Sequence, residues 1–412
     1  MIQFERFVLD NGMKVLVHPD HTTPIAAVNL LYDVGARDES AGRTGFAHLF
    51  EHLMFEGSVN IPHFDRPLEM AGGTNNAFTS NDITNYYESL PMMNLETAFW
   101  LESDRMMSLN FSEEKLAIQK QVVIEEYKQR YLNQPYGDAW LMLRPMVYQV
   151  HPYQWPTIGK EISHIEEASL DEVRSFYFKH YRPNQAILVV AGPVSTEEVR
   201  VLCNKWFAEI PNGEDYQRSL PAEPEQKEKR TMRIAREVPL DAVFMAWKMA
   251  PRHSERFYRA DLLSDILASG KASRFYTELV QKRKLFSDIG AYTTGECDGG
   301  MFAISGKLVK GVSHEDAEAG VWEVIRDLQK SSMPDEELRK VQTKAESIFR
   351  FGQMDITHRA MELAYFEWLS EAEDINREID RIKSVKPRDI GTEANDLLKE
   401  EAACVLYYES MG

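Results

Sequence analysis

The chain has 412 residues, of which 43% are hydrophobic and 27% charged, and 47 Lys and Arg against 65 Asp and Glu give a formal net charge of −18. At about 150 residues per domain this is room for two or three packed domains, and the ordinary composition excludes a disordered or fibrous chain. The acidic excess opposes phosphate backbones and anionic lipid surfaces, so neither nucleic acid nor a membrane is an expected partner.

Met1 to Phe7 runs straight into folded-looking sequence, without the cationic start and apolar stretch of a secretory signal, and a cytoplasmic protein is expected. No window approaches 18 consecutive apolar residues, which removes a transmembrane helix from the expectations. Pro24 to Tyr32 reads as a buried strand, followed by a polar loop and an apolar helix from Phe46 to near Gly57. Phe111 to Arg130 reads as a helix with Ser112 as its N-cap, and Ala186 to Ala191 as a short strand. Pro211 to Arg230 is polar and rich in turn formers, the composition of a solvated linker. Beyond it the opening pattern recurs: a strand at Pro239 to Trp247, a helix from Phe257 to Gly270, and a late strand at Ala403 to Tyr408. The chain therefore divides into residues 1–212, a linker at 213–230 and residues 231–412, two homologous α+β domains in tandem. Each is expected to be a mostly antiparallel sheet with helices packed on one face. Cys203, Cys297 and Cys404 lie far apart without a CxxC pair and read as reduced core residues.

The run Phe46-Ala47-His48-Leu49-Phe50-Glu51-His52-Leu53-Met54-Phe55 concentrates chemistry in one place. Residues i and i+4 of a helix share a face and i+3 lies beside them, so both imidazoles and the carboxylate point to one side. The other positions are apolar, and three ionisable groups on a buried helix need a strong partner to offset desolvation. A lone histidine there would read as a core residue; the triplet reads as a site for a divalent metal. Two neutral imidazoles suit Zn²⁺, and a third ligand would leave one tetrahedral position open for water. Glu51 is then placed to take a proton from that water and return it to a leaving nitrogen. A third ligand is sought in the helix after Ser112, where Glu125 and Glu126 are the candidates.

The H-x-x-E-H order marks the inverzincins. Together with Gly35-Ala36-Arg37-Asp38-Glu39, Gly42-Arg43-Thr44-Gly45, the segment Gly72 to Ser80, Thr157-Ile158-Gly159 and His180-Tyr181-Arg182-Pro183, it resembles the pitrilysin/insulinase family of zinc metallopeptidases, in a half-length form similar to bacterial processing-peptidase-like members. The resemblance spans most of both halves. It implies one Zn²⁺ per chain, held by His48, His52 and Glu126, the last 74 residues after His52, with Glu51 as the general base on zinc-bound water. It implies that Asn76, Ala77, Phe78 and Thr79 form an edge strand that pairs with an extended peptide. Read without it, Asn75-Asn76 is equally a turn and Phe78 a core residue. Arg274 aligns with an arginine that contacts substrate from the non-catalytic half.

Two positions depart from the family pattern. Gln119 stands two helical turns before Glu126 where a catalytic glutamate is usual, and an amide can hydrogen-bond but cannot carry a proton. Ser287 stands where a tyrosine is expected; either a partner chain makes up this loss or, as the alternative, Tyr292 or Tyr276 takes over within the chain. An oxyanion donor contributes about 3 to 4 kcal/mol. The expectation is therefore a dimer, in heterodimeric form with a partner chain that supplies Arg and Tyr. The function implied is a zinc-dependent endopeptidase hydrolysing short or unfolded peptides in an enclosed chamber, of which this fold forms half of a clamshell. The alternative is a non-catalytic or weakly active peptide-binding or structural subunit.

Overall fold

In the computed structural model, which describes every residue except Ser332 and Gly412, the strands expected from the aliphatic runs become the centres of two sheets. The first half runs β1 (Glu5–Val8), β2 (Lys14–Pro19), β3 (Ile25–Tyr32), α1 (Phe46–Leu53), α2 (Asp65–Met70), β4 (Thr74–Thr79) and β5 (Thr84–Pro91). It continues with α3 (Leu95–Ser108), α4 (Glu113–Tyr127), α5 (Ala139–Val147), α6 (Ile162–Glu166), α7 (Leu170–His180), β6 (Ala186–Gly192) and α8 (Thr196–Trp206). The second half runs β7 (Arg230–Arg236), β8 (Ala242–Lys248), α9 (Glu255–Ala268), β9 (Phe286–Thr293), β10 (Met301–Leu308) and α10 (His314–Lys330). It ends with α11 (Asp335–Gly352), α12 (Ile356–Leu369), α13 (Glu378–Ser384), α14 (Pro387–Leu397) and β11 (Cys404–Ser410).

The sheets have the orders β1-β2-β6-β3-β5-β4 and β7-β11-β8-β10-β9. Without β1 they are the same sheet written twice, β2 standing for β7, β6 for β11, β3 for β8, β5 for β10 and β4 for β9. The match extends to strand direction: β2–β6 and β7–β11 are the parallel pairs, and the other pairs are antiparallel. The α+β class and the internal duplication are therefore as the sequence leads one to expect.

The division into halves is not the division into compact units. One unit comprises residues 1–127, 155–220 and 350–377; the other comprises 128–154, 221–349 and 378–412. The reason is an exchange of helices. α12, from the second half, packs along β3 and β6, while α5, from the first, packs along β11 and β8. Successive strand residues point to opposite faces, so the unbroken burial of β6 and of Ala26 to Tyr32 in β3 requires cover on both sides of the sheet. In the first unit α12 provides part of that cover, an addition to helices packed on one face only. The stretch 213–230 is likewise no free linker. Arg218 reaches Asp33 at 2.9 Å and Asp38 at 2.7 Å, and Glu223 accepts the backbone N–H groups of Gln149, Val150 and His151. Cys203 and Cys404 are buried core residues as expected, while Cys297 is half-buried.

Candidate metal centre

α1 and α4 carry the site. α1 is buried from Phe46 to Phe50 and apolar there except for His48, and it ends at Leu53, four residues before Gly57, as Phe55 and Glu56 bond back to His52 and Leu53 in a tighter turn. α4 starts as expected at Ser112, whose hydroxyl accepts the N–H of Lys115. Packing of α1 on α4 brings together residues more than seventy positions apart.

His48 Nε2 and His52 Nε2 each lie 3.4 Å from Glu126 Oε2. One ligand atom from each residue falls within 4.8 Å of the others, and this is the cluster of three such groups found among the described residues. Tetrahedral ligands held at about 2.0–2.1 Å from a zinc ion stand about 3.4 Å apart, so the donor set and its spacing fit that metal. The imidazole rings meet edge to face at 4.9 Å, which lets both aim a nitrogen at one point. Glu125, one position round α4, is exposed while Glu126 is half-buried. The structure thus separates the two candidates that the sequence alone leaves open.

Glu51 lies beside this cluster. Burial pushes its carboxyl above the ordinary carboxylate range and the neighbouring Glu126 adds to this, while Thr79 and His52 pull the other way. A base whose proton affinity is raised in this way is suited to taking a proton and giving it back. Thr79, expected as a residue of the edge strand, is in addition a neighbour of Glu51. Gln119 sits on the same face of α4 as Glu126, and its Nε2 donates to Glu56 Oε1 while Lys115 Nζ donates to the Glu56 carbonyl. Its own Oε1 is buried without a hydrogen-bond partner in the described structure.

β4 is the terminal strand of its sheet, so Asn76, Ala77, Phe78 and Thr79 form an edge and not a turn. Phe78 is 39% exposed and is no core residue. The N–H of Ala77 goes to Asn76 Oδ1 at 2.8 Å instead of to β5, which marks it as an outward-pointing edge donor. The structure places Arg274 in the second unit in a two-pronged pair with Glu337 at 2.8 and 2.9 Å, with Asp327 at 3.4 Å. Ser287 Oγ donates to the Lys307 carbonyl at 3.1 Å. Both groups are committed to partners inside their own unit.

Residues 14–156 match the family described as Insulinase (Peptidase family M16), and residues 167–345 match Peptidase M16 inactive domain. The zinc protease PqqE of Helicobacter pylori is 31% identical over 354 residues, covering 84% of this chain and 79% of that protein. An uncharacterized zinc protease of Rickettsia bellii is 25% identical over 403 residues, covering 96% and 95%. The crystal structure of a protease from H. pylori superposes with a TM-score of 0.92 at 27% identity, over 99% of this chain and all of that one. At 17% identity, a Pseudomonas fluorescens chain titled peptidase M16 inactive domain shares the fold, with a TM-score of 0.89 over 100% and 98% of the two chains. The chain belongs to the insulinase family of peptidases, M16.

Proposed function

We propose that the chain is a zinc-dependent endopeptidase acting on short or unfolded peptides. The observation that carries this is the convergence of His48 Nε2, His52 Nε2 and one Glu126 oxygen, with Glu51 beside them. A zinc ion held there supplies Lewis acidity toward the scissile carbonyl and water. Glu51 takes the proton from the attacking water and delivers it to the leaving nitrogen. The β4 edge offers the Ala77 N–H to an extended peptide once Asn76 Oδ1 releases it, and main-chain pairing is largely blind to side chains.

Dimerisation, with a partner chain supplying Arg and Tyr to an enclosed chamber, is part of the same proposal. What supports it is that Arg274 and Ser287 are occupied within their own unit. A cytoplasmic location is also proposed, and fractionation of cells making the chain tests it. A second reading, a weakly active peptide-binding subunit, is favoured by Gln119, whose amide faces Glu56 where an acid is usual.

The test is mass-spectrometric detection of products from a pool of unfolded peptides, with the zinc-loaded chain and its Glu51→Gln variant. Cleavage by the wild type, reduced at least about a thousandfold in Glu51→Gln at equal zinc content, supports the endopeptidase. Intact peptides with one zinc per chain favour the second reading or a missing partner, which addition of cell extract separates. A chain that takes up no zinc overturns the proposal.

A further inference from the structure

α1 holds His48, Glu51 and His52 within eight residues, yet its N-cap is Gly45, which has no side chain to offer the free N–H groups of the first turn. The position cannot carry one. Its φ is 88°, in the left-handed region, and a Cβ there would lie 2.6 Å from the carbonyl oxygen of Ile158. The cap comes from six residues upstream. Glu39 Oε2 accepts the N–H of Gly45 and Oε1 accepts that of Ala47, both at 2.9 Å. The indole Nε1 of Trp155 donates to Glu39 Oε2 at 3.2 Å and is shared with the Ala36 carbonyl at 3.1 Å. The loop bearing Glu39 is itself tied down: Asp38 accepts from Gly35 N at 3.0 Å and from Arg218 and Tyr216.

We propose that Glu39, 8% exposed, is a positioning residue for the metal centre, fixing the start of α1 so that His48 and His52 face Glu126. This rests on the metal reading above. His48 follows directly on the anchored Ala47, and each helical residue turns the face by about 100°, so a slip at the helix start carries His48 away from Glu126. Burial pushes the Glu39 carboxyl up to about 8, while the N–H groups of Ala47, Gly45 and Trp155 that it accepts pull the other way, so the role rests on its two acceptor oxygens and not on its charge.

The test is zinc affinity by chelator competition and the visible spectrum of the Co²⁺-loaded chain, for wild type, Glu39→Gln and a control, Ser195→Ala. Ser195 makes a side-chain cap of the same kind on α8, so its loss lowers thermal stability without touching α1. Glu39→Gln keeps one acceptor oxygen and loses the other. The expected result is a fall in zinc affinity of about tenfold or more and an altered Co²⁺ spectrum for Glu39→Gln, with neither change for Ser195→Ala. Affinity within about twofold of wild type and an unaltered spectrum overturn the proposal, as does an equal loss in Ser195→Ala. If Glu39→Gln does not fold, Trp155→Phe, which removes the indole donor together with part of a buried ring, decides by the same two readouts, compared with Trp247→Phe, an equal truncation in the second unit. Loss in Trp155→Phe alone supports the role, and unchanged affinity or an equal loss in both overturns it. Absence of metal from the wild type overturns instead the metal reading on which this rests.

Discussion

His180 is 1% exposed, and neither ring nitrogen has a hydrogen-bond partner in the described structure. It packs against Phe176 at 4.7 Å and Tyr216 at 4.8 Å. Burial lowers its pKa from 6.5 to about 4, against the attraction of Asp38. The unfolded chain therefore binds a proton between pH 6.5 and 4 that the folded chain does not, so stability is full above that window and is lost as pH falls through it. The loss amounts to about 3 kcal/mol at the acid end. His180→Phe is expected to flatten this part of the pH dependence, read as the change in urea midpoint between pH 7 and pH 4.5. At the same scale, legibility depended on how local the cause was. His48, Glu51 and His52 could be read because their geometry is fixed by a single helix. Glu126 needed the family pattern, because only the packing of α1 on α4 distinguishes it from Glu125. The surroundings of Arg274 could not be read, since Glu337 and Asp327 reach it from distant helices. Glu39 stood in the run that leads into the motif, but nothing in its spacing announces a cap for a helix beginning seven residues later.

Elements were legible where a periodicity or a cap marked them. Strands β3, β6 and β11 follow the aliphatic runs closely, and Ser112 starts α4 as a capping residue should. β8 begins at Ala242 and not at Pro239, because proline has no N–H for a ladder and Asp241 is engaged in accepting the N–H of Ser410. β4 carried the weakest signal, since edge strands are short and polar and resemble turns. Its outward donor gives a test at the scale of the strand. Ala77→Pro removes an N–H that β5 does not use and is expected to leave folding intact, while weakening peptide binding by about tenfold as one main-chain hydrogen bond is lost. Affinity for an uncleaved peptide, measured with the Glu51→Gln chain as background, checks this. Equal binding by the two chains would show that peptides do not pair with this edge.

For the whole molecule, the duplication was legible because both halves open with the same strand–loop–helix pattern, and the structure extends it to every strand position of the common sheet. The exchange of α5 and α12 was not, because amphipathic periodicity shows that a helix has a face to bury and not which sheet will receive it. α12 buries Ala360, Leu363, Ala364 and Phe366 and joins Arg359 to Asp20 beside β2. A fragment of residues 1–220 keeps every strand of the first sheet but lacks this cover. It is expected to bind a hydrophobic dye and to show no cooperative unfolding transition, whereas coexpression with residues 221–412 abolishes the dye binding and restores the transition. A cooperative transition in the isolated fragment would show that α12 is dispensable.

The same helix sets a timetable. Translation makes β1 to β6 before residue 193, but α12 begins at Ile356, so the first sheet stays incomplete until most of the chain has left the ribosome. Closing contacts across more than 300 residues is slow compared with forming local helices. A nascent chain therefore holds His48, His52 and Glu126, the three residues of the candidate metal centre, long before the sheet behind them is sealed. The first unit is therefore closed only after β7 to β10 have been made, so whatever chemistry its metal centre performs cannot begin while those strands are still being synthesised.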